Sequence, residues 1–190
     1  MTEWERQFAE LQRLYAGREA QVRSEWDRSL PLGELVVDRW ERARRLGFGP
    51  DASVYDSAVV LGSVAVGAST WIGPQVLLDG SGGLAIGAFC SISAGVQIYS
   101  HDTVAWAVTG GRAEPVRSAV RIGDRCYIGP LTVIARGVTV GDGCVIGAHS
   151  FVDRDLPPGS LAWGTPCRVQ GKVIVSPEGK VDFERTESAS

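Results

Sequence analysis

Aliphatic residues recur at every sixth position from residue 54 onward. The inward-facing candidates are Val54, Val60, Val66, Ile72, Leu78, Ile86, Ile92, Ile98, Ile122, Ile128, Ile134, Val140, Ile146 and Val152. Four positions after most of them the side chain is small, as at Thr70, Cys90 and Thr132. A fixed short period is typical of repeat architectures whose units bury one continuous core. The pattern predicts a β-solenoid of four to five coils, each of about eighteen residues in three short strands, stacked about 4.8 Å apart.

The first 46 residues have a helical pattern instead. Trp4, Phe8, Leu11 and Tyr15 follow the spacing of one helix face. A second helix is predicted near residues 34–46, ended by glycine at 47 and 49. We expect these helices to cover the open end of the solenoid, because its unpaired backbone would otherwise promote aggregation. The predicted organisation is a helical segment over 1–50, the solenoid over 51–170, and a C-terminal hairpin and tail over 171–190.

The six-residue period breaks in two places. The segment Gly80–Gly83 is two residues longer than the period allows. The second break follows Ile98, where residues 103–119 match the pattern poorly and are predicted to form a loop that leaves the solenoid. Long loops on rigid scaffolds are where functional residues concentrate.

The coil count predicts which residues lie together at these breaks. Leu78, Ile98 and Ile134 are expected to stack on the second face of the coil. Asp79 and His101 are then predicted to lie one coil apart on the same edge. A histidine flanked by carboxylates is a credible reaction centre, because a carboxylate can orient the imidazole.

Composition and charge exclude several classes of protein. The 19 Lys and Arg against 22 Asp and Glu give a net charge of −3, which argues against a dedicated nucleic-acid binder. No apolar run approaches the roughly 18 residues of a membrane helix. The polar N-terminus and four cysteines without a CxxC pair lead us to expect a cytoplasmic protein with reduced thiols. Cys90, Cys126 and Cys144 occupy small inward positions and are predicted to be buried.

Three features resemble the hexapeptide-repeat acyltransferases, and in particular their sugar O-acetyltransferase branch (galactoside, maltose and lipopolysaccharide-type enzymes). They are the hexads, the Tyr99-Ser100-His101-Asp102 sequence with its loop, and the closing segment 163–169. The similarity covers about residues 54–173. It implies a left-handed parallel β-helix that assembles as a homotrimer. It also implies active sites between adjacent subunits, with acetyl-CoA along the cleft.

The resemblance implies roles for individual residues. His101 is the general base, and Asp102 and Asp79 are the carboxylates near it. A backbone N–H stabilises the oxyanion in relatives. Pro130 has no N–H at that position, so Gly129 is the better candidate.

A second set of residues is implied for acetyl-CoA. Ala148 is placed against the pantetheine arm, and Arg154 and Arg168 near the CoA phosphates, which a cation suits. Lys172 is a weaker candidate of the same kind, and Pro166 belongs to the closing Gly-x-Pro segment. No metal is expected.

The predicted function is acyl-CoA-dependent O-acylation, most simply acetyl transfer, to a hydroxyl of a sugar or glycosylated metabolite. N-acetylation of an amino sugar is one alternative. A zinc enzyme similar to γ-class carbonic anhydrases is another, although it needs three histidines per site and the chain has two. A non-catalytic solenoid scaffold is the third. The acceptor, the acyl length and the donor carrier stay open at this point.

Overall fold

A computed structural model describes residues 1–186. Four helices lie in this part of the chain: α1 (Glu3–Trp26), α2 (Leu32–Val36), α3 (Arg39–Arg45) and α4 (Val104–Val108). Its strands are β1 (Ser53–Val54), β2 (Val59–Val66), β3 (Trp71–Ile72), β4 (Leu77–Ile86), β5 (Ser91–Ile92), β6 (Gln97–Ile98), β7 (His101–Asp102), β8 (Val116–Arg117), β9 (Val120–Ile122), β10 (Tyr127–Ile128), β11 (Val133–Ile134), β12 (Thr139–Val140), β13 (Val145–Ile146), β14 (Phe151–Val152), β15 (Ser160–Gly164), β16 (Cys167–Val175) and β17 (Val181–Arg185).

The strands form a parallel β-solenoid with three faces, which confirms the predicted architecture. On the first face, β1, β3, β5, β10, β13 and β15 pair in parallel. On the second face, Leu78 pairs with Ile98 and Ile98 with Ile134, as the coil count predicts. The third face carries the ends of β2 and β4, followed by β9 and β12.

The solenoid has about six turns, more than the four to five predicted. The additional coil closes through Leu156, which bridges Val140, and through Ala162, which pairs with Ile146. The pattern missed this coil because Leu156 falls four positions after Val152 and Ala162 is a small residue.

The interior of the solenoid is a continuous column of aliphatic side chains. Ile72, Ile92, Ile128 and Ile146 are at most 1% exposed. The small inward residues satisfy the carbonyls at the corners: the hydroxyl of Thr70, for example, donates to the carbonyl of Gly87 at 2.7 Å. All four cysteines are buried free thiols, which confirms the prediction for the three in the repeats.

The second predicted helix is two helices in the structure. Val37 and Asp38 separate α2 from α3, and the Asp38 carboxylate accepts a hydrogen bond from the Glu41 N–H at 2.8 Å. Asp38 is therefore an N-cap that begins a new helix. The sequence pattern missed it because the apolar residues on both sides keep a helical spacing.

Helix α3 packs against the first coil at the N-terminal end of the solenoid. Ala43 and Phe48 join the core, and the Arg42 guanidinium donates to the carbonyls of Tyr55 and Ala58. These contacts satisfy backbone groups that have no preceding coil to pair with. Helix α1 differs, because none of its side chains is buried in this chain.

The C-terminal strands β15, β16 and β17 extend the first face as an antiparallel meander. The tail expected at the end of the chain lies at residues 187–190, outside the described residues. The boundaries at residues 50 and 170 stay predictions. No helix within residues 1–186 is both long and apolar enough to cross a membrane.

Candidate active site

The glycine-rich break lies inside a continuous strand. β4 runs through Gly80–Gly83, and its pairing with β2 shifts register between Gly62 and Val64. A Cβ at Gly82 would lie 2.4 Å from the carbonyl oxygen of Ser100, so the close approach of the two coils requires glycine here. The Gly82 N–H donates to the Ser100 hydroxyl at 2.7 Å. The break therefore brings polar groups of two coils into contact at one edge.

Asp79 is buried at this edge and accepts several hydrogen bonds. Its side chain receives the N–H groups of Ser81 and Ser100, both at 2.9 Å. Burial alone would raise the pKa of Asp79. Hydrogen bonds from Ser81 and His101 and from the backbone of Ser100 outweigh burial and hold that pKa well below its ordinary value. Asp79 is thus an ionised carboxylate beneath the surface of the site.

His101 lies directly above Asp79 at the root of the loop. Its Nδ1 is 2.5 Å from Asp79 Oδ2, and its side chain is 31% exposed. An ionised carboxylate only accepts hydrogen bonds, so we assign the proton of the neutral ring to Nδ1. The lone pair of Nε2 is then available to accept a proton.

Asp102 has partners other than His101. Its carboxylate pairs with the Nε of Arg136 on the next coil and accepts the Val104 N–H at 3.0 Å. The Arg136 hydrogen bond and the Val104 N–H lower the pKa of Asp102. Asp79 therefore orients the imidazole, and Asp102 fastens the start of the loop to the coil that carries Arg136.

The loop over 103–119 contains local structure that the sequence pattern did not predict. β7 and β8 form an antiparallel pair, and α4 lies between them. The pair ends where the Ser118 N–H donates to the Ser100 carbonyl at 2.8 Å. The loop is thereby closed at its base on the edge that carries His101.

An open cleft of about 430 Å³ adjoins His101 on the outer side of the second face. Its polar lining is His101, Asp102, Thr103 and Arg136. The rest of the wall is largely apolar and comes from Tyr99, Val104, Val133, Ala135 and Phe151. The cleft has room for a small molecule beside Nε2.

Gly129 and Ala148 lie at the other end of the second face, at the corner that precedes it. The Gly129 N–H donates to the Ile146 carbonyl at 2.8 Å and is not free for another acceptor. The N–H groups of Ala94 and Ala148, one coil to either side of Pro130, have no hydrogen-bond partner among residues 1–186. The structure thus leaves free amides at this corner, although not at Gly129, where we expected the oxyanion donor.

The candidate phosphate ligands lie near the C-terminal end of the second face. Arg154 and Arg168 both pair with the Asp153 carboxylate, at 3.2 Å and 3.0 Å. Pro166 is exposed in the turn between β15 and β16, and Lys172 is exposed on β16. Arg154 follows the same edge as His101, two coils further along.

Residues 1–186 contain no group of three or more His, Cys, Asp or Glu side chains that could hold a metal ion.

Comparison with known proteins gives a family match and several relatives. The profile described as "Bacterial transferase hexapeptide (six repeats)" matches residues 119–154. Nodulation protein L of Rhizobium meliloti (strain 1021) is 36% identical over 109 residues, which are 57% of this chain and 60% of that protein. Galactoside O-acetyltransferase of Escherichia coli (strain K12) is 32% identical over 127 residues, 55% of this chain and 61% of that protein. The matched region thus spans about three fifths of each curated relative.

Two solved structures share the fold. A hexapeptide-repeat acetyltransferase from Vibrio cholerae O1 biovar eltor, crystallised with acetyl coenzyme A, is 28% identical with a TM-score of 0.62. The match covers 86% of this chain and 89% of that one. The N-acyltransferase AntD from Bacillus cereus, in complex with dTDP and coenzyme A, has a TM-score of 0.60 at 22% identity, over 66% of this chain and 72% of that one. The second likeness concerns the fold alone.

Proposed function

We propose that this chain, which is similar to hexapeptide-repeat acetyltransferases, is an acyl-CoA-dependent O-acyltransferase. It transfers an acyl group, most simply acetyl, to a hydroxyl of a sugar or glycosylated metabolite. Two relatives support this choice of donor and acceptor. One is a galactoside O-acetyltransferase, and the other is an acetyltransferase crystallised with acetyl coenzyme A.

The contact between His101 and Asp79 carries the proposal. A buried carboxylate holds Nδ1, and Nε2 is directed away from it at the edge of the cleft. A histidine supported in this way is suited to general base catalysis near neutral pH. Its place at the two interruptions of an otherwise regular solenoid favours a catalytic role over a structural one.

The proposed reaction uses these groups in order. Acetyl-CoA supplies an acyl group activated as a thioester. His101 Nε2 accepts the proton of the acceptor hydroxyl as the oxygen attacks the carbonyl carbon. A backbone N–H stabilises the negative charge on the carbonyl oxygen. His101 then returns the proton to the departing sulfur, so the base is regenerated.

A homotrimer would complete this site. The outer side of the second face is apolar in several coils, with Val59, Leu61 and Phe151 between 39% and 47% exposed. If three copies turn this face towards a threefold axis, the corner that precedes it in one copy meets the corner that follows it in the next. The free amides of Ala94 and Ala148 in one subunit would then face His101 of another.

The residues present fit acetyl-CoA in such a cleft. The unpartnered Ala148 N–H can bind an amide carbonyl of the pantetheine arm, and the apolar wall suits its carbon chain. Arg154 and Arg168 would hold the phosphates, with Lys172 and Pro166 at the same end of the molecule. Since the Gly129 N–H is engaged and the Ala148 N–H serves the pantetheine arm, we assign the oxyanion donor to the free N–H of Ala94.

Thiol release from acetyl-CoA tests the proposal. The assay uses neutral sugars, glycosides and amino sugars as acceptors and compares wild type with His101→Gln. We expect the rate to fall about 10²- to 10⁴-fold, the range for loss of a general base. His149→Asn is the matched control, because His149 is the other histidine of the chain and is exposed at a corner.

Binding of the donor is measured separately by thermal stability. Acetyl-CoA at about 100 times its Kd would stabilise the fold by about 2.7 kcal/mol. Absence of stabilisation would contradict a CoA donor, and an unchanged rate in His101→Gln would contradict the base. Transfer to amino sugars alone would show that the protein is an N-acyltransferase and would reject the assignment as an O-acyltransferase.

A further inference from the structure

Arg117 is the cross-strand neighbour of His101. The antiparallel pairing of β7 and β8 sets His101 opposite Arg117 and Asp102 opposite Val116. Residues opposite each other in an antiparallel pair project to the same side, with Cβ atoms about 4.5–5.5 Å apart. The Arg117 side chain therefore leaves the β7–β8 ribbon beside the imidazole. Since its Cβ lies near Gly82, it sits on the side of His101 towards the N-terminal coils.

No residue within 1–186 neutralises the charge of Arg117. Its exposed side chain forms no ion pair, hydrogen bond or aromatic contact with any residue in 1–186. The two carboxylates nearest His101 are already engaged, Asp79 by the imidazole and Asp102 by Arg136. Glu114, three residues before Arg117 on the loop, has no ion pair with it.

Arg136 adds a second cation on the opposite side of His101. Only its Nε binds Asp102, so its two terminal nitrogens have no partner within the described residues. A guanidinium with two unpaired nitrogens can bind a phosphate or carboxylate in a fork. The mouth of the site is thus flanked by two guanidinium groups, one from the loop strand β8 and one from the following coil.

Acetyl-CoA does not account for these two arginines. Its phosphates are separated from the thioester by the length of the pantetheine arm, and the proposed route leads them to Arg154 and Arg168. Cations beside His101 contact the molecule whose proton His101 accepts. That molecule is the acceptor.

We infer that the acceptor carries an anionic group, a phosphate or a carboxylate, which Arg117 binds together with Arg136. The inference rests on the proposed function and specifies its substrate class. Arg117 is then a residue that selects anionic sugars over neutral ones.

The two histidines of the chain allow a direct binding test that does not depend on acyl transfer. Imidazole signals are recorded by NMR, and His149→Asn assigns His101. The probes at constant ionic strength are glucose 6-phosphate, glucuronate and neutral glucose. We expect a saturable shift of the His101 signal with at least one anionic probe, and none with glucose. Comparison of glucose 6-phosphate with glucuronate shows whether the site binds a phosphate or a carboxylate.

Arg117→Gln should weaken this binding about 10- to 100-fold, the effect of losing a charge-assisted hydrogen bond. Arg121→Gln is the matched control, an exposed arginine on the third face, and should bind as wild type. Arg117→Lys should keep part of the affinity because it keeps the charge. An unmoved His101 signal with both anions, or unchanged binding in Arg117→Gln, overturns the inference.

Thiol release separates this inference from the proposed function. Anion binding without transfer from acetyl-CoA would retain the site and reject the acyltransferase. Transfer to neutral sugars with no anion binding would retain the acyltransferase and reject the role of Arg117.

Discussion

The regular coils and the interrupted edge belong to the same stacked backbone but differ in the contacts that their side chains make. In the regular coils every inward residue is aliphatic or small, and one coil resembles the next. At the edge formed by Asp79, Gly82 and His101, each residue has a specific partner that no other position repeats. The regular repeats form a continuous core, and the interruption holds polar groups in specific contacts at one edge.

The difference shows how a solenoid can hold a buried charge. Asp79 follows Leu78, where a regular coil would expose its side chain, yet it is fully buried. The glycine segment, which is two residues longer than the period allows, supplies the Ser81 N–H that donates to the Asp79 carboxylate. The break thus creates an enclosed polar position that the six-residue repeat itself does not contain.

Ile128→Ala should have the largest effect on the free energy of unfolding. Ile128 is 0% exposed between the rungs of Ile92 and Ile146. Removal of its side chain leaves a cavity in the column and should cost about 2–5 kcal/mol. Urea denaturation measures the loss. Thr139→Ala, an exposed residue on the third face, is the control and should change stability by less than about 0.5 kcal/mol.

A loss below about 1 kcal/mol in Ile128→Ala would show that the column tolerates cavities. The contrast between tightly packed coils and a specialised edge would then fail.

Asp79→Asn should have a smaller effect that depends on pH. The folded-state pKa of Asp79 lies below its unfolded value of about 3.9. Its ionised form therefore stabilises the fold above that value, and the contribution is lost as the pH falls from about 5 towards the folded pKa. We expect Asp79→Asn to lose about 1–3 kcal/mol at pH 7, the range for buried hydrogen bonds to a charged group.

Urea denaturation at pH 7, 5, 4 and 3 measures this difference. The gap between wild type and Asp79→Asn should narrow as the pH falls. Asp182→Asn, at an exposed residue of β17, should show no such trend relative to wild type. A gap that stays constant down to pH 3 would show that the charge of Asp79 is not what stabilises the edge.

Ala148→Pro should change stability least, by about 1 kcal/mol or less. Pro74 and Pro130 occupy the same position of earlier corners, each after a glycine, so the backbone at Ala148 accepts proline. The substitution removes the free N–H. Acetyl-CoA should bind about three- to tenfold more weakly, as expected for one neutral hydrogen bond.

Titration of thermal stability with acetyl-CoA measures this affinity. Ala94→Pro removes the other free amide of the column and shows whether the effect is specific to Ala148. Unchanged affinity in Ala148→Pro would reject the assignment of Ala148 to the pantetheine arm.

The sequence predicted the features that follow from a strict period. The three faces and the proximity of Asp79 and His101 depend only on counting inward residues, and the structure confirms both. The split between α2 and α3, the short helix α4 and the final coil at Ala162 were not predicted. Each depends on capping or on a small residue in place of a large one, which leaves no periodic signal.

The partners of charged side chains were harder to predict than their positions. The pairing of Arg136 with Asp102, for example, depends on how the loop leaves the coil. The engaged N–H of Gly129 follows from the ladder between neighbouring coils, which the resemblance to known enzymes does not reveal. The antiparallel register of β7 and β8, which sets Arg117 beside His101, depends on folding within the loop.

The ladder between coils restricts how such a chain can change its length. Ile128 pairs with Ile146, eighteen positions later, and this spacing keeps every face aligned. Insertion of a single residue into a regular strand would turn the following side chains from the interior to the exterior. Duplication or loss of a whole coil would preserve all three faces. The first coil, which precedes Asp79, could therefore be multiplied as a unit, and the molecule would lengthen at that end while its histidine and carboxylate kept their contact.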